Sequence, residues 1–329
     1  MEQVSVVIPN YNHGAFLQKR IDSVLNQTYK PFEVIILDDC STDNSRGVIE
    51  AYRGLANGRI VYNTTNSGCT FKQWNKGISL ATGRYLWIAE SDDFADPQLL
   101  ETLVNSLEAE RDAGLAYCKS RVIDEKEHVL GFCTKYFDDL DPVRWQNDYV
   151  ADGEEECRRF LIWKNTIPNT SAVLLRTAIL RSILPIDTTF SVCGDWLTWI
   201  KVLLKSKVVY ISKPLNYFRK HQSSVRALNS IIKCTDEALR VQGYLLRQIN
   251  IPSESRDRLR AHTLQRAVNA LLGRYGPTPM SVKIRLIRHA MDINPCLARD
   301  GAHKMFRSLC RRGCPQTSSQ AHPERAVRL

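Results

Sequence analysis

The chain has 329 residues, 43% of them hydrophobic and 24% charged, with a formal net charge of +10. Those values are those of an ordinary globular protein with room for one large domain and an appended part. No apolar run approaches the roughly 18–20 residues of a membrane span, so no spanning helix is expected in these residues.

Met1 leads almost directly into a strand pattern, so no signal peptide is expected. The ten cysteines form no CxxC pair or metal-finger spacing and are expected as reduced cytosolic thiols, several of them buried. The charge is uneven: from His221 onward there are 19 Lys and Arg against 7 acids. Such a tail points to membrane headgroups, an anionic glycan or nucleic acid, or to a solvated basic face with no partner.

In chain order, Val4-Ser5-Val6-Val7-Ile8-Pro9 reads as a buried parallel strand that breaks at the turn Asn10-Tyr11-Asn12-His13-Gly14. Phe16, Leu17, Arg20, Ile21, Val24 and Leu25 recur at helical spacing and predict a helix over 15–26. A second strand over 32–37 ends in Asp38-Asp39, and the capping residues 41–45 open a helix toward Tyr52. Strands follow at 59–63, 84–89 and 113–119, with helices at 71–81 and 97–111. This alternation predicts an α/β fold with a doubly wound, mainly parallel sheet. Residues 122–152 loosen into a long excursion, after which strands at 171–176 and 208–211 flank a helix at 196–204. Beyond about Val225 only helices are expected, at 231–250, 255–275 and 280–291, broken at Ile251-Pro252 and Gly276-Pro277. The division is therefore 1–224, a helical region 225–310 and a loosely ordered basic tail 311–329.

The most informative stretch is Leu86-Trp87-Ile88-Ala89-Glu90-Ser91-Asp92-Asp93, a strand ending in three carboxylates within four residues. Ligands bind beyond the carboxyl ends of strands in such sheets, and crowded acids need a cation or donor to compensate them. Hard oxygen ligands suit Mg²⁺ or Mn²⁺ with substrate phosphates; the plainer alternative is a helix cap with acidic first-turn residues. Three strand ends carry polar signals, Pro9-Asn10-Tyr11, Asp38-Asp39 and Asp92-Asp93, and parallel strands would open all three on one edge. There is no GxGxxG or GxxxxGK[ST] to cradle a polyphosphate in glycines.

Val4–Asn12 (VSVVIPNYN), Ile36–Ser45 (ILDDCSTDNS) and Asn66–Asp93 together strongly resemble family 2 glycosyltransferases of the GT-A fold. The resemblance extends through Cys193-Gly194-Asp195-Trp196 and Tyr217-Phe218-Arg219-Lys220-His221, over roughly the first 225 residues. It implies inverting transfer of a sugar from a nucleotide diphosphate donor, assisted by a divalent cation, Mn²⁺ or Mg²⁺. By position, Pro9 and Tyr11 would line the base, and Asp39 would accept a hydrogen bond from it, favouring a UDP- or dTDP-sugar. Asp38 is expected as a turn or packing acid. Asp93 would ligate the metal, and Asp92 would contact the ribose, or the metal through water. Glu90 stands where Asp is more usual, and its role stays open. Asp195 would be the general base, against the alternative of a helix N-cap. Arg219 and His221 would lie near the diphosphate, Arg219 by bidentate contact and His221 as phosphate donor or metal ligand. Of Trp145, Trp163, Trp196 and Trp199 at most one is expected as a sugar platform. Asn169-Thr170-Ser171 is read either as acceptor-pocket lining or as a polar strand entry.

The C-terminal third lies outside the resemblance. Val282-Lys283-Ile284-Arg285-Leu286-Ile287-Arg288-His289 interleaves bases with aliphatics, as an anionic membrane surface or packing on the main domain would require. The expected function is a cytoplasmic glycosyltransferase, at the inner face of the membrane if the basic helices bind it, extending a glycan or lipid-linked oligosaccharide such as lipopolysaccharide. An inactive GT-A-like scaffold and a nucleotidyltransferase are the alternatives. Nucleic acid is not expected, because the basic charge accompanies no nucleic-acid motif.

Overall fold

The computed structural model describes residues 4–30, 32–222, 231–274 and 279–297. The expected boundary at 224/225, the Gly276-Pro277 break and the tail 311–329 lie outside them. Two compact units are present, Met1–Asn229 and Ser230–Leu329.

The first unit opens with β1 (Val4–Asn10), buried at every position as its β-branched run requires. In α1 (Gly14–Leu25), Leu17, Arg20, Ile21 and Val24 turn inward at helical spacing. β2 (Phe32–Asp38), α2 (Ser45–Glu50), β3 (Gly58–Tyr62), α3 (Thr70–Leu80) and β4 (Tyr85–Ile88) follow. β1 runs parallel between β2 and β4, with Val4 beside both Phe32 and Tyr85, and β3 pairs parallel with β2. The polar ends of β1, β2 and β4 therefore open on one edge of the sheet. α3 lies close over β1 because Gly77 has no side chain; a Cβ there would meet Val7 Cγ1 at 2.4 Å.

The chain continues through β5 (Phe94–Ala95), α4 (Leu99–Ala109), β6 (Ala113–Ile123), β7 (Val129–Phe132), β8 (Tyr149–Ala151), α5 (Gly153–Glu156), β9 (Val173–Arg176), α6 (Thr177–Arg181), α7 (Gly194–Leu203) and β10 (Lys207–Arg219). The sheet order is β3-β2-β1-β4-β9-β6-β10-β5, with β7 on β6 and β8 on β10. β9 is antiparallel to both β4 and β6, and β10 returns parallel to β6. The result is a mixed sheet with a parallel half and a helical covering, the α/β class the alternation predicts.

Two regions differ from expectation. The strand expected at 208–211 runs on through Pro214 to Arg219, with register shifts on either side of Pro214. Those irregularities accommodate a residue that cannot donate to the ladder. The excursion over 122–152 is pinned down by short strands and by an aromatic cluster. Tyr117 and Tyr149 hydroxyls lie 2.7 Å apart, and Trp145 donates its indole N–H to Tyr117. Cys118, Cys133 and Cys157 are buried free thiols, as expected for several of the cysteines.

In the second unit, α8 (Ile231–Gln248), α9 (Ser253–Leu271) and α10 (Met280–Ile293) pack together. Leu239, Leu245, Leu259, Ala267, Leu286 and Ala290 form its interior. Asp236 of α8, 4% exposed, meets Arg285 Nε at 3.1 Å and His289 Nδ1 at 2.9 Å, both from α10. No described helix is long and apolar enough to cross a membrane.

Candidate active site

The edge shared by β1, β2 and β4 carries two adjoining groups of polar side chains. The first centres on Asp39, 4% exposed. Its backbone N–H donates to Asn10 O of β1, continuing the sheet past its last paired residues. Its Oδ1 accepts from Asn63 Nδ2 at 2.6 Å, Ser67 N at 2.9 Å and Gln73 Nε2 at 2.9 Å, and its Oδ2 from Ser67 Oγ at 2.7 Å. Asp38 instead accepts from Asn10 and Ser41, as a packing acid does. Pro9 is buried, whereas Tyr11 stands 45% exposed beside this group in sequence, with its ring open to solvent.

The second group is built on the turn after β4. His221 Nε2 lies 2.9 Å from Asp92 Oδ2, and His13 Nδ1 lies 2.8 Å from Ser91 Oγ. The two imidazoles meet edge to face with centroids 5.3 Å apart, and Phe16 backs His221 at 5.1 Å. One ligand atom from each of His13, Asp92 and His221 lies within 4.8 Å of the others. Two imidazoles and a carboxylate so grouped fit a divalent cation with little rearrangement. Burial alone would push the Asp92 carboxyl up, but the hydrogen bond to His221 and the charge of His13 hold it below its usual value. Burial also holds the His13 imidazole below the usual histidine value, which favours its neutral, ligating form.

The neighbouring acids, among them Asp93, the expected metal ligand, make other contacts. Asp93 is 2% exposed; its Oδ2 accepts from Asn169 Nδ2 and its Oδ1 from the Arg219 backbone N–H, each at 2.9 Å. Each oxygen thus carries a hydrogen bond from the protein, and the carboxylate grouped with the imidazoles is that of Asp92. Burial, then the charge of Asp92, pushes Asp93 up to about 6 and Glu90 up to about 8. Glu90 Oε1 accepts the Trp74 indole N–H at 2.9 Å. Arg20, fully buried, donates Nε to Glu90 O, and its charge opposes the rise of both acids; its Nη1 and Nη2 have no hydrogen-bond partner among the described residues.

Arg219 also departs from expectation. Its Nε donates to Asp92 O, Nη1 to Asp124 O and Glu125 O, and Nη2 to Glu127 Oε1, over the ring of Phe16. A guanidinium 2% exposed and bonded in this way braces the acidic turn against the β6–β7 hairpin rather than offering a fork to phosphate. Asn169 and Ser171 serve the same turn, Ser171 Oγ accepting from Glu90 N at 3.1 Å.

Asp195 begins α7. Its Oδ2 accepts from Asn165 Nδ2 at 2.9 Å and its Oδ1 from Trp196 N at 2.7 Å. The helix start packs on α3: a Cβ on Gly194 would stand 2.5 Å from the Phe71 ring, and Trp199 lies 6.1 Å from Trp74. α3 thus touches all three groups, through Gln73 on Asp39, Trp74 on Glu90 and Phe71 on Gly194. Trp145, Trp196 and Trp199 are core, with indole N–H groups donating to Tyr117, Leu161 and Ile167; Trp163 is half-buried.

Sequence reasoning missed His13, Gln73, Trp74 and Arg20. The signal for His13 was its place on the loop after β1, on the edge where the acids were expected.

Residues 5–184 match the family described as "Glycosyl transferase family 2". Among curated relatives, the glycosyltransferase GlyG of Streptococcus pneumoniae is 31% identical over 236 residues, 68% of this chain and 73% of that protein. Over 109 residues, 32% of this chain, the similarity to the Staphylococcus aureus poly(ribitol-phosphate) beta-N-acetylglucosaminyltransferase TarP reaches 39% identity. Among solved structures, residues 1–349 of S. aureus TarS in complex with UDP-GlcNAc superpose with a TM-score of 0.66 at 18% identity, covering 88% of this chain and 80% of that one. The mannosyltransferase PcManGT of Pyrobaculum calidifontis, in complex with GDP-Man and Mn²⁺, gives 0.57 at 16% identity, covering 95% and 81%.

Proposed function

The chain belongs to glycosyl transferase family 2 and is a glycosyltransferase, and from that premise we propose that it inverts the anomeric carbon of a UDP- or dTDP-sugar in a metal-assisted transfer to a glycan or lipid-linked hydroxyl. The observation that carries this reading is the convergence, on one sheet edge, of the Asp39 group and the His13–Asp92–His221 cluster.

Tyr11 offers its open ring to the base, with Pro9 beneath the same loop. Asp39 Oδ2, which accepts one bond from Ser67, has capacity for a second from an imino N–H. Asp92 and His221 would hold the cation, and Asn169 and Arg219, through their bonds to Asp93 and to Asp92 O, hold the turn that carries Asp92. The cation, when bound, stabilises the charge that develops on the departing diphosphate. Asp195 takes the proton of the acceptor hydroxyl as its oxygen bonds the anomeric carbon; the bond to the diphosphate breaks, and nucleoside diphosphate leaves with that electron pair. A single displacement of this kind inverts the centre.

Calorimetric titration with UDP, with and without Mn²⁺, tests the donor site. Binding is expected to tighten at least tenfold with Mn²⁺, about 1.4 kcal/mol, and to lose that gain in Asp92→Ala. UDP that binds equally with and without Mn²⁺ would overturn the metal-assisted part of this reading, and UDP and dTDP that do not bind at all would overturn the proposed donor.

The second unit supports a membrane-surface role. Met280, Ile284 and Met291 share one face of α10 and are 67%, 53% and 44% exposed, and Lys283 and Arg288 flank them. An exposed apolar stripe with basic borders suits the interface of an anionic bilayer. Replacing Lys283 and Arg288 by Gln is expected to weaken sedimentation with phosphatidylglycerol vesicles by about tenfold or more, at about 1 kcal/mol per charge. Unchanged sedimentation would sink the idea.

A further inference from the structure

We propose that His13 is a protein ligand of the cation alongside Asp92 and His221, and that the resulting set of two imidazoles and one carboxylate selects Mn²⁺ and the later first-row cations over Mg²⁺. The proposal rests on the metal-assisted reading above and adds to it an identity for the metal.

Geometry supports it first. Ligands bound to one ion at about 2.0–2.2 Å lie no more than about 4.4 Å from each other. The three candidate atoms already lie within 4.8 Å of one another, so a shift of a few tenths of an ångström closes the set. His13 is also held as metal-bound imidazoles generally are, with one ring nitrogen anchored by a hydrogen bond, here Nδ1 to Ser91 Oγ at 2.8 Å. When Nδ1 donates that bond, Nε2 carries the lone pair. The edge-to-face contact with His221 restrains the ring further. A cation would take the place of the hydrogen bond between His221 Nε2 and Asp92 Oδ2.

The count of carboxylates then sets the preference. Among the described residues, Asp92 is the acid of this turn that is grouped with the two imidazoles, while Glu90 accepts the Trp74 N–H and Asp93 accepts from Asn169 and Arg219. Mg²⁺ demands oxygen ligands and is reluctant to exchange water for imidazole. Imidazole nitrogen suits the transition metals, whose affinities rise along the first row. A site with a single protein oxygen and two nitrogens therefore favours the first-row cations over Mg²⁺.

The test is pulsed electron paramagnetic resonance of Mn²⁺ on the full-length protein, with histidine labelled in ¹⁵N and with or without UDP. Two histidine nitrogen couplings are expected in the wild type and one in His13→Gln. In parallel, Mg²⁺ is expected to displace Mn²⁺ from the wild type only at more than about a hundredfold excess, and His13→Gln is expected to lower that excess at least tenfold. One nitrogen in the wild type overturns the assignment of His13 and leaves metal-assisted transfer standing. So does a His13→Gln protein with unchanged nitrogen count and Mn²⁺/Mg²⁺ preference. No bound Mn²⁺ in the wild type, with UDP present, overturns both. Because the wild-type count decides by itself, a variant that failed to fold would not protect the proposal.

Discussion

Asp195→Asn is expected to lower turnover by about 10²–10⁴-fold while UDP affinity and the unfolding midpoint stay close to wild type. The substitution keeps the size and planarity of the side chain and removes only its capacity to take a proton. Asn165 Nδ2 donates to one oxygen of the carboxylate and Trp196 N to the other. An amide presents one oxygen, so it can satisfy one of those donors, and the loss of the other costs about 1 kcal/mol. That penalty is too small to explain a large fall in rate through unfolding. Nor should it reach the nucleotide, because Asp195 and the Asp39 group contact α3 through different side chains, Phe71 for the helix of Asp195 and Gln73 for Asp39. Steady-state turnover, UDP calorimetry and urea unfolding on the same preparation separate the possibilities. A rate within a few-fold of wild type together with a lowered midpoint would make Asp195 a helix-capping acid and leave the proton without an acceptor.

How far the sequence reached can be judged residue by residue. The common edge of β1, β2 and β4 was legible because each strand is a short apolar run that stops at a polar turn, a pattern set by local burial. Which of Asp92 and Asp93 is grouped with the imidazoles was not. Neighbouring side chains on a turn diverge, and the choice is made by Asn169 and Arg219, partners 76 and 126 positions away. Arg219 was legible as a cation near the acids, but its bonds to the carbonyls of Asp124 and Glu125 depend on how the β6–β7 hairpin folds back, and strands of three or four residues have no periodicity to announce them. Pro214 marked an end to a strand by its chemistry, yet the ladder absorbed it in an irregularity. One clue lay in plain sight: Arg20 falls on the apolar stripe of α1, between Leu17 and Ile21. A charge at such a position is buried, and a buried charge requires a countercharge.

That countercharge leads to the second large effect. Arg20→Met is expected to destabilise the metal-free protein by roughly 3–5 kcal/mol at pH 8, and by much less at pH 5. Arg20 is fully buried beside Glu90, Asp92 and Asp93, and its guanidinium opposes the rise that burial and Asp92 impose on Glu90 and Asp93. In the folded wild type those two carboxyls titrate at about 8 and about 6, above their ordinary values. The folded state then binds more protons than the unfolded state, so stability is full below the ordinary carboxylate range and falls as pH rises through 6 and 8. Without Arg20 both values climb further, the fall steepens, and the deficit grows with pH. At pH 5 the two acids are protonated in either protein, and Met suits the apolar stripe it joins. His13, held below its usual value, works in the opposite direction, gaining stability as pH rises, but it does so in both proteins and cancels from the difference. Asp92, also held low, titrates below this window. Urea unfolding of both proteins at pH 5, 6.5 and 8 reads the difference directly, and saturating Mn²⁺ should shrink it at pH 8 by neutralising Asp92. A deficit that is the same at every pH would mean that Arg20 acts through its packing against Trp87 and not through its charge.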